Sequence, residues 1–156
     1  MLRGATAVTL LESLVSLSID ALVVAGLLST IAFGLRTAAT LCGAASAAIA
    51  TARVEQLADD AVARAAAGPS RVLAFPQELV FRIDDNADGR FDSRSTETVT
   101  FKLGGKPLRL IHGIGQQFVA LAPAQGSAIT YYWAGSRPVL AQLPVAGGPL
   151  VVALPP

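Results

Sequence analysis

The chain has 156 residues, enough for one domain and short for two, and is 53% hydrophobic and 15% charged with a mean hydropathy of +0.55. Twelve Lys and Arg against eleven Asp and Glu leave a net charge of +1, so no global field draws in nucleic acid, acidic substrates or anionic lipid. A single cysteine, Cys42, excludes an intramolecular disulfide, and a single histidine, His112, excludes a His-pair metal site and most histidine relays.

The apolar excess begins at the start of the chain. Residues 1–7 carry one charge, Arg3, and residues 8–35 then hold only Glu12 and Asp20 as ionisable groups. At about 1.5 Å per residue a helix of that length crosses the roughly 30 Å hydrocarbon core of a bilayer. A secretory signal peptide has an apolar region of only about 7–15 residues and normally no acids, so this stretch reads as a membrane segment. Arg3 and Arg36 flank it, and the short head before it favours a cytoplasmic N-terminus with the bulk of the chain outside. A carboxylate at the bilayer centre costs about 2.5–3.5 kcal/mol, so both acids call for a partner or a purpose.

Thr6-Ala7-Val8-Thr9-Leu10-Leu11-Glu12, leading into Ser13-Leu14-Val15-Ser16-Leu17-Ser18-Ile19, resembles the N-terminal signature of type IV pilins and type II secretion pseudopilins. That signature is a short basic leader ending in a small residue, a peptidase cut, and then a hydrophobic residue, Thr, Leu, an aliphatic residue and Glu opening a long apolar helix. The resemblance implies cleavage by prepilin peptidase between Ala7 and Val8, N-methylation of the new terminus, and assembly with other pilin or pseudopilin subunits. Family members usually carry Gly before the cut and Phe after it, and Ala7 and Val8 depart from both.

Glu12 has a physical rationale of its own. In lipid, the α-amine of an incoming subunit would neutralise the carboxylate of its neighbour, and assembly would relieve a desolvation cost on the order of several kcal/mol. Glu12 is then a register device, the alternative being a carboxylate that snorkels to the headgroups. Asp20 lies about two turns further in, where the family pattern is apolar. It reads either as an acid tolerated against a neighbouring helix or as a second pairing site for a particular partner subunit.

Residues 37–67 contain no proline and are rich in alanine, the best helix former, so the helix is expected to continue. Val54, Leu57, Ala58, Ala61, Val62 and Ala65 follow helical spacing, with Arg53, Glu55, Asp59, Asp60 and Arg64 on the other face. Gly68-Pro69 supplies the stop. Gly26, Gly34 and Gly43 mark either bending and local melting or close approach of neighbouring helices. Cys42 is expected to be a buried, inert thiol.

Beyond Pro76 the period changes to two. Leu79, Phe81 and Ile83 alternate with Val80 and Arg82, and Val99, Phe101 and Leu103 with Thr98, Thr100 and Lys102. Further strands are expected at 108–111, 117–121, 129–133, 139–143 and 150–154, with short connections that favour an antiparallel sheet. Tyr131 and Trp133 are expected in the core with Tyr132 outside, and His112 at a surface or strand end. Gly113-Ile114-Gly115 lacks the third glycine of a dinucleotide site and reads as a turn.

Between the first two of these strands lies Asp84-Asp85-Asn86-Ala87-Asp88-Gly89-Arg90-Phe91-Asp92. Counted from Asp84, the oxygen-bearing residues Asp84, Asn86, Asp88 and Asp92 take positions 1, 3, 5 and 9 of an EF-hand-type calcium loop, with Gly89 at 6. Ser95 stands at position 12, where a bidentate Glu belongs, and Glu97 comes two residues late. A polar hairpin tip is the other reading, since Asp, Asn and Gly are the preferred turn formers. From Leu110 onward Arg137 is the only formal charge, which suggests that part of this segment is covered by another subunit.

The expectation is therefore an α+β protein: leader 1–7, transmembrane or filament-core helix 8–35, amphipathic helix 36–68, and an antiparallel β-rich head 69–156. In function it is expected to be a minor pilin or pseudopilin, anchored in the inner membrane with its head outside the cytoplasm and later part of a periplasmic or cell-surface filament. Its expected partners are other such subunits, prepilin peptidase and the membrane, with no nucleic acid and no small-molecule substrate. No catalytic role and no required cofactor are expected, calcium being the one candidate ion. The same features also allow a single-pass anchored binding module with a calcium-stabilised head that never polymerises.

Overall fold

The computed structural model describes residues 3–68, 70–92 and 96–155, with side chains from Thr9 onward. One helix, α1 (Arg3–Ala67), precedes eight strands: β1 (Ser70–Phe75), β2 (Glu78–Ile83), β3 (Thr98–Gly104), β4 (Arg109–Ile114), β5 (Gln117–Pro123), β6 (Thr130–Ala134), β7 (Arg137–Val145) and β8 (Gly148–Ala153). The class is α+β, a long N-terminal helix packed through its second half on antiparallel sheets. Contacts divide the chain into two compact units, one ending at Gly43 and the other Ala44–Pro156.

The first unit is helix alone. Its apolar side chains are open to the surroundings, Leu22 and Phe33 at 73% exposure, and the helix is long and apolar enough to cross a membrane. The Ser13, Ser18 and Thr30 hydroxyls donate to the carbonyls of Thr9, Leu14 and Gly26, one turn back, so they carry no unmet donor along this surface. The helix runs unbroken through Gly26, Gly34 and Gly43, with open space at each, so the local melting allowed for at these glycines is not observed. Cys42 is exposed, which corrects the expectation of a buried thiol: the helix face begins to pack only at Ala47.

In the second unit the helical period and the burial coincide. Val54, Ala58, Ala61 and Ala65 are at most 2% exposed, Leu57 and Val62 pack at the margin, and Arg53, Glu55, Asp59 and Asp60 face outward. Alanine at three of the four central positions brings the helix backbone close to the sheets. After Ala67 the helix ends at Gly68, and the Ser70 hydroxyl donates to the Ala65 carbonyl at 2.7 Å, satisfying one of the orphan acceptors of the last turn.

The strands form two sheets, not one. Strands β1-β2-β3-β4-β5 make a five-stranded antiparallel meander and β6-β7-β8 a three-stranded one. All seven expected strands are present, and β1 is an addition. Leu79, Phe81, Ile83, Val99, Phe101 and Leu110 from the first sheet meet Ala141, Leu143, Val145 and Val152 from the second and the buried helix face in one core. Gly115 and Gly135 open the tight β4–β5 and β6–β7 turns with φ of 58° and 66°, a region where a Cβ is strained.

The β1–β2 turn is tied to the second sheet. Ile129 N donates to the Pro76 carbonyl at 2.7 Å, and the Tyr131 hydroxyl lies 3.0 Å from the Phe75 carbonyl and 2.9 Å from that of Glu78. Burial pushes the Tyr131 hydroxyl pKa well above the usual phenol value, so it remains a donor. Trp133 departs from expectation. The β6–β7 register shifts between Tyr132 and Trp133, with Val139 the extra residue on β7, and Trp133 is 55% exposed, touching Tyr131 edge-on with ring centroids 6.4 Å apart.

Candidate functional site

Three places hold the residues singled out by the sequence: the start of α1, the β2–β3 loop, and the core face of β4. In the first, Ala7 and Val8 lie within the α1 backbone and their side chains fall outside the described residues. Glu12 and Asp20 share one helix face. At 3.6 residues per turn, Thr9, Glu12, Ser13, Ser16 and Asp20 fall within an arc of about 100°. With Leu17 they line a shallow recess of about 420 Å³, which exists because the serine side chains are short. Among the described residues neither Glu12 nor Asp20 has a hydrogen bond or ion pair. Thr9, Ser13 and Ser16 join the two acids on this face, at an i, i+4 and i+7 spacing that the sequence carries.

The second place is the loop between β2 and β3, closed at its base by Ile83 N donating to the Glu97 carbonyl at 2.7 Å. Asp84 is 7% exposed, and its two carboxylate oxygens accept from Asp88 N at 3.1 Å and Gly89 N at 2.9 Å. Asn86 Oδ1 accepts from Asp88 N at 2.9 Å and Asp88 Oδ1 from Arg90 N at 2.7 Å, a chain of side-chain-to-backbone turns. Glu97, 4% exposed, accepts from Asp92 N at 2.9 Å, while the Thr98 hydroxyl donates to the Asp92 carbonyl. Arg64, in the last turn of α1, pairs with Asp85 and donates to the Thr96 carbonyl at 3.0 Å, anchoring the loop to the helix end.

Asp84, Asn86 and Asp88 thus accept backbone N–H groups, and among the described residues no group of three His, Cys, Asp or Glu side chains converges as a metal ion requires. Ser95, at the closing position of the expected calcium loop, lies outside the described residues. Replacing Asp84 with Ala strips Gly89 N of its carboxylate acceptor and is expected to destabilise the unit Ala44–Pro156 by about 1–3 kcal/mol. Urea unfolding measures this, and Asp84→Asn, which keeps one carbonyl oxygen, should fall between. The same curves taken in calcium and in chelator test the ion: a calcium shift lost in Asp84→Ala supports it, and coincident curves remove it.

His112 is the third, and its position corrects the sequence reading. It is 8% exposed on the core face of β4, opposite Phe101, with ring centroids 5.0 Å apart. Burial lowers its pKa from 6.5; Asp60 opposes this and Arg53 adds to it, both reaching it from α1. It is packed among the core side chains of β3 and α1 as a residue with a titratable ring. Because the unfolded chain binds the proton more readily, His112 costs no stability above pH 6.5 and increasingly destabilises the fold as pH drops below it. The unfolding midpoint of the wild type should fall more than that of His112→Gln between about pH 7.5 and pH 5.5. Parallel profiles would contradict this.

Comparison of the chain with protein-family models, with curated proteins and with solved structures finds no match.

Proposed function

We propose that the chain is a minor pilin or pseudopilin, a structural subunit anchored in the inner membrane by the first half of α1, with its head outside the cytoplasm, and assembled through that helix into a filament. The observation that carries this reading is the N-terminal helix itself. Its residues from 9 to 46 are exposed, it is long and apolar enough for a bilayer, and it holds Glu12 within the Thr9-Leu10-Leu11-Glu12 run that resembles the processed start of such subunits. The same helix continues into the part that supplies one wall of the head's core, so anchor and head share one element. A helix that must sit in lipid before assembly and against other helices afterwards has this character: apolar all round, with one polar face.

The role is mechanical. The side chains with perturbed chemistry, His112 and Tyr131, are held in or against the core by packing and by hydrogen bonds that link strands. The deciding experiment is the mass of the N-terminus in cells with and without prepilin peptidase. Cleavage between Ala7 and Val8 with an added methyl group, lost when the peptidase is removed, is the expected result. An intact leader in both cells would defeat the filament reading.

A further inference from the structure

Resting on the reading of α1 as a membrane helix, we propose that its face bearing Glu12, Ser16 and Asp20 packs against the transmembrane helix of a different protein, one that carries a lysine or arginine at the depth of Asp20. The argument turns on Asp20. Glu12 lies near the start of the helix, where an α-amine of a neighbouring subunit is at hand, but Asp20 stands about 12 Å further along the axis. One cation does not serve both. The Ser13 hydroxyl on this face is satisfied on its own helix, whereas an ionised carboxylate only accepts and finds no donor on the helix that carries it.

A second copy of this chain does not supply that partner. Up to residue 46 its cations are Arg3 and Arg36, about 25 Å before and 24 Å beyond Asp20 along a helix axis, and, after the proposed cut, the Val8 α-amine about 18 Å before it. A parallel copy in register sets Asp20 against Asp20, a shift of about 6 Å brings its α-amine to Glu12 and leaves Asp20 unmatched, and a shift of about 18 Å or more is needed to bring any of these cations level with Asp20. Charge complementarity therefore points to another sequence. The recess formed by Thr9, Ser13 and Ser16 gives that helix room for close approach, as small residues do between membrane helices. Asp20 would then decide which subunit stands next to this one, while Glu12 serves assembly in general.

The test uses the full chain, labelled with a donor fluorophore at its single, exposed Cys42, in phosphatidylcholine vesicles. The probes are two acceptor-labelled polyleucine transmembrane helices, one with a single lysine at the depth of Asp20 and one without. Association with the lysine helix is expected to be about tenfold tighter, the size of one good polar contact between membrane helices, and to be lost in Asp20→Leu but kept in Leu22→Ala, on the far side of the helix. Equal association with both helices, or persistence in Asp20→Leu, overturns the proposal, as does self-association of the chain stronger than binding to the lysine helix. Flotation of the chain with the vesicles is scored separately. A chain that fails to float refutes the membrane reading, whereas one that floats but does not discriminate overturns only the role of Asp20.

Discussion

Phe101→Ala is expected to lower the stability of the unit Ala44–Pro156 by about 3–5 kcal/mol, the range for removing a buried aromatic ring. Phe101 is fully buried on β3, the central strand of the five-stranded sheet, level with Leu79 on one neighbour and His112 on the other. Its ring meets Phe81 edge-on at 6.4 Å and His112 at 5.0 Å. These neighbours are held by strand register on both sides, so the site has little freedom to collapse around the vacancy, and the cavity cost adds to the lost transfer energy. Phe118→Ala is the control. That ring is 47% exposed on the opposite face, where it covers Gly113 and takes the Lys102 ammonium 3.8 Å from its centroid. Its loss should cost about 1 kcal/mol. Urea midpoints at constant m-value give both numbers, and equal losses would show that the two faces of the sheet are not distinguished as the burial implies.

Glu12→Ala is expected to leave membrane insertion intact and to cut incorporation into sheared, sedimented filaments by at least about tenfold, which corresponds to 1.4 kcal/mol. The two halves of this result have one cause. Removing the carboxylate spares the helix about 2.5–3.5 kcal/mol on entering lipid, so insertion does not suffer. On the proposed filament reading it also deprives the α-amine of an incoming subunit of its counter-charge, and an amine buried without a partner would oppose assembly. Glu12→Gln separates charge from shape, since the amide fills the same volume and offers a neutral acceptor; it should resemble Ala in assembly. Unchanged incorporation of Glu12→Ala would remove the proposed role of this residue.

Much of the fold follows from patterns that are local in the chain. The buried positions Val54, Ala58, Ala61 and Ala65 follow from helical period alone, and β2 and β3 from alternation around Phe81 and Phe101. β1 did not show itself because Ser70–Phe75 follows directly on the helix stop and lacks strict alternation, its side chains being mostly half-buried along an edge. The division of the strands falls between β5 and β6, and contacts such as Ile129 with Pro76, which join residues far apart in sequence, tie the second sheet to the first.

The individual side chains that were misplaced share a reason. His112 is buried because β4 happens to present that register to Phe101 and to α1, a property of pairing rather than of the residues around it. Trp133 is on the surface because the side of β6 on which it touches Tyr131 is covered by the core at Tyr131 and open at Trp133, next to the β6–β7 turn. In the acidic loop the residue types announced oxygen-rich chemistry, but only the folded chain shows Asp84 turned onto the N–H groups of Asp88 and Gly89, with Arg64 of the helix holding Asp85.

The long apolar start of α1 with its two acids, the continuation of that helix into the core of the second unit, and the existence of most strands were determined by the sequence itself, because hydrophobic period and length act over a few neighbouring residues. Tertiary structure alone decided that the head is two sheets around one core, that Phe101 and His112 face each other, and that the loop closes on Asp84. Those outcomes rest on how the two meanders and the helix pack on one another and on the register within each hairpin, and a shift of one residue would exchange the buried face for the exposed one.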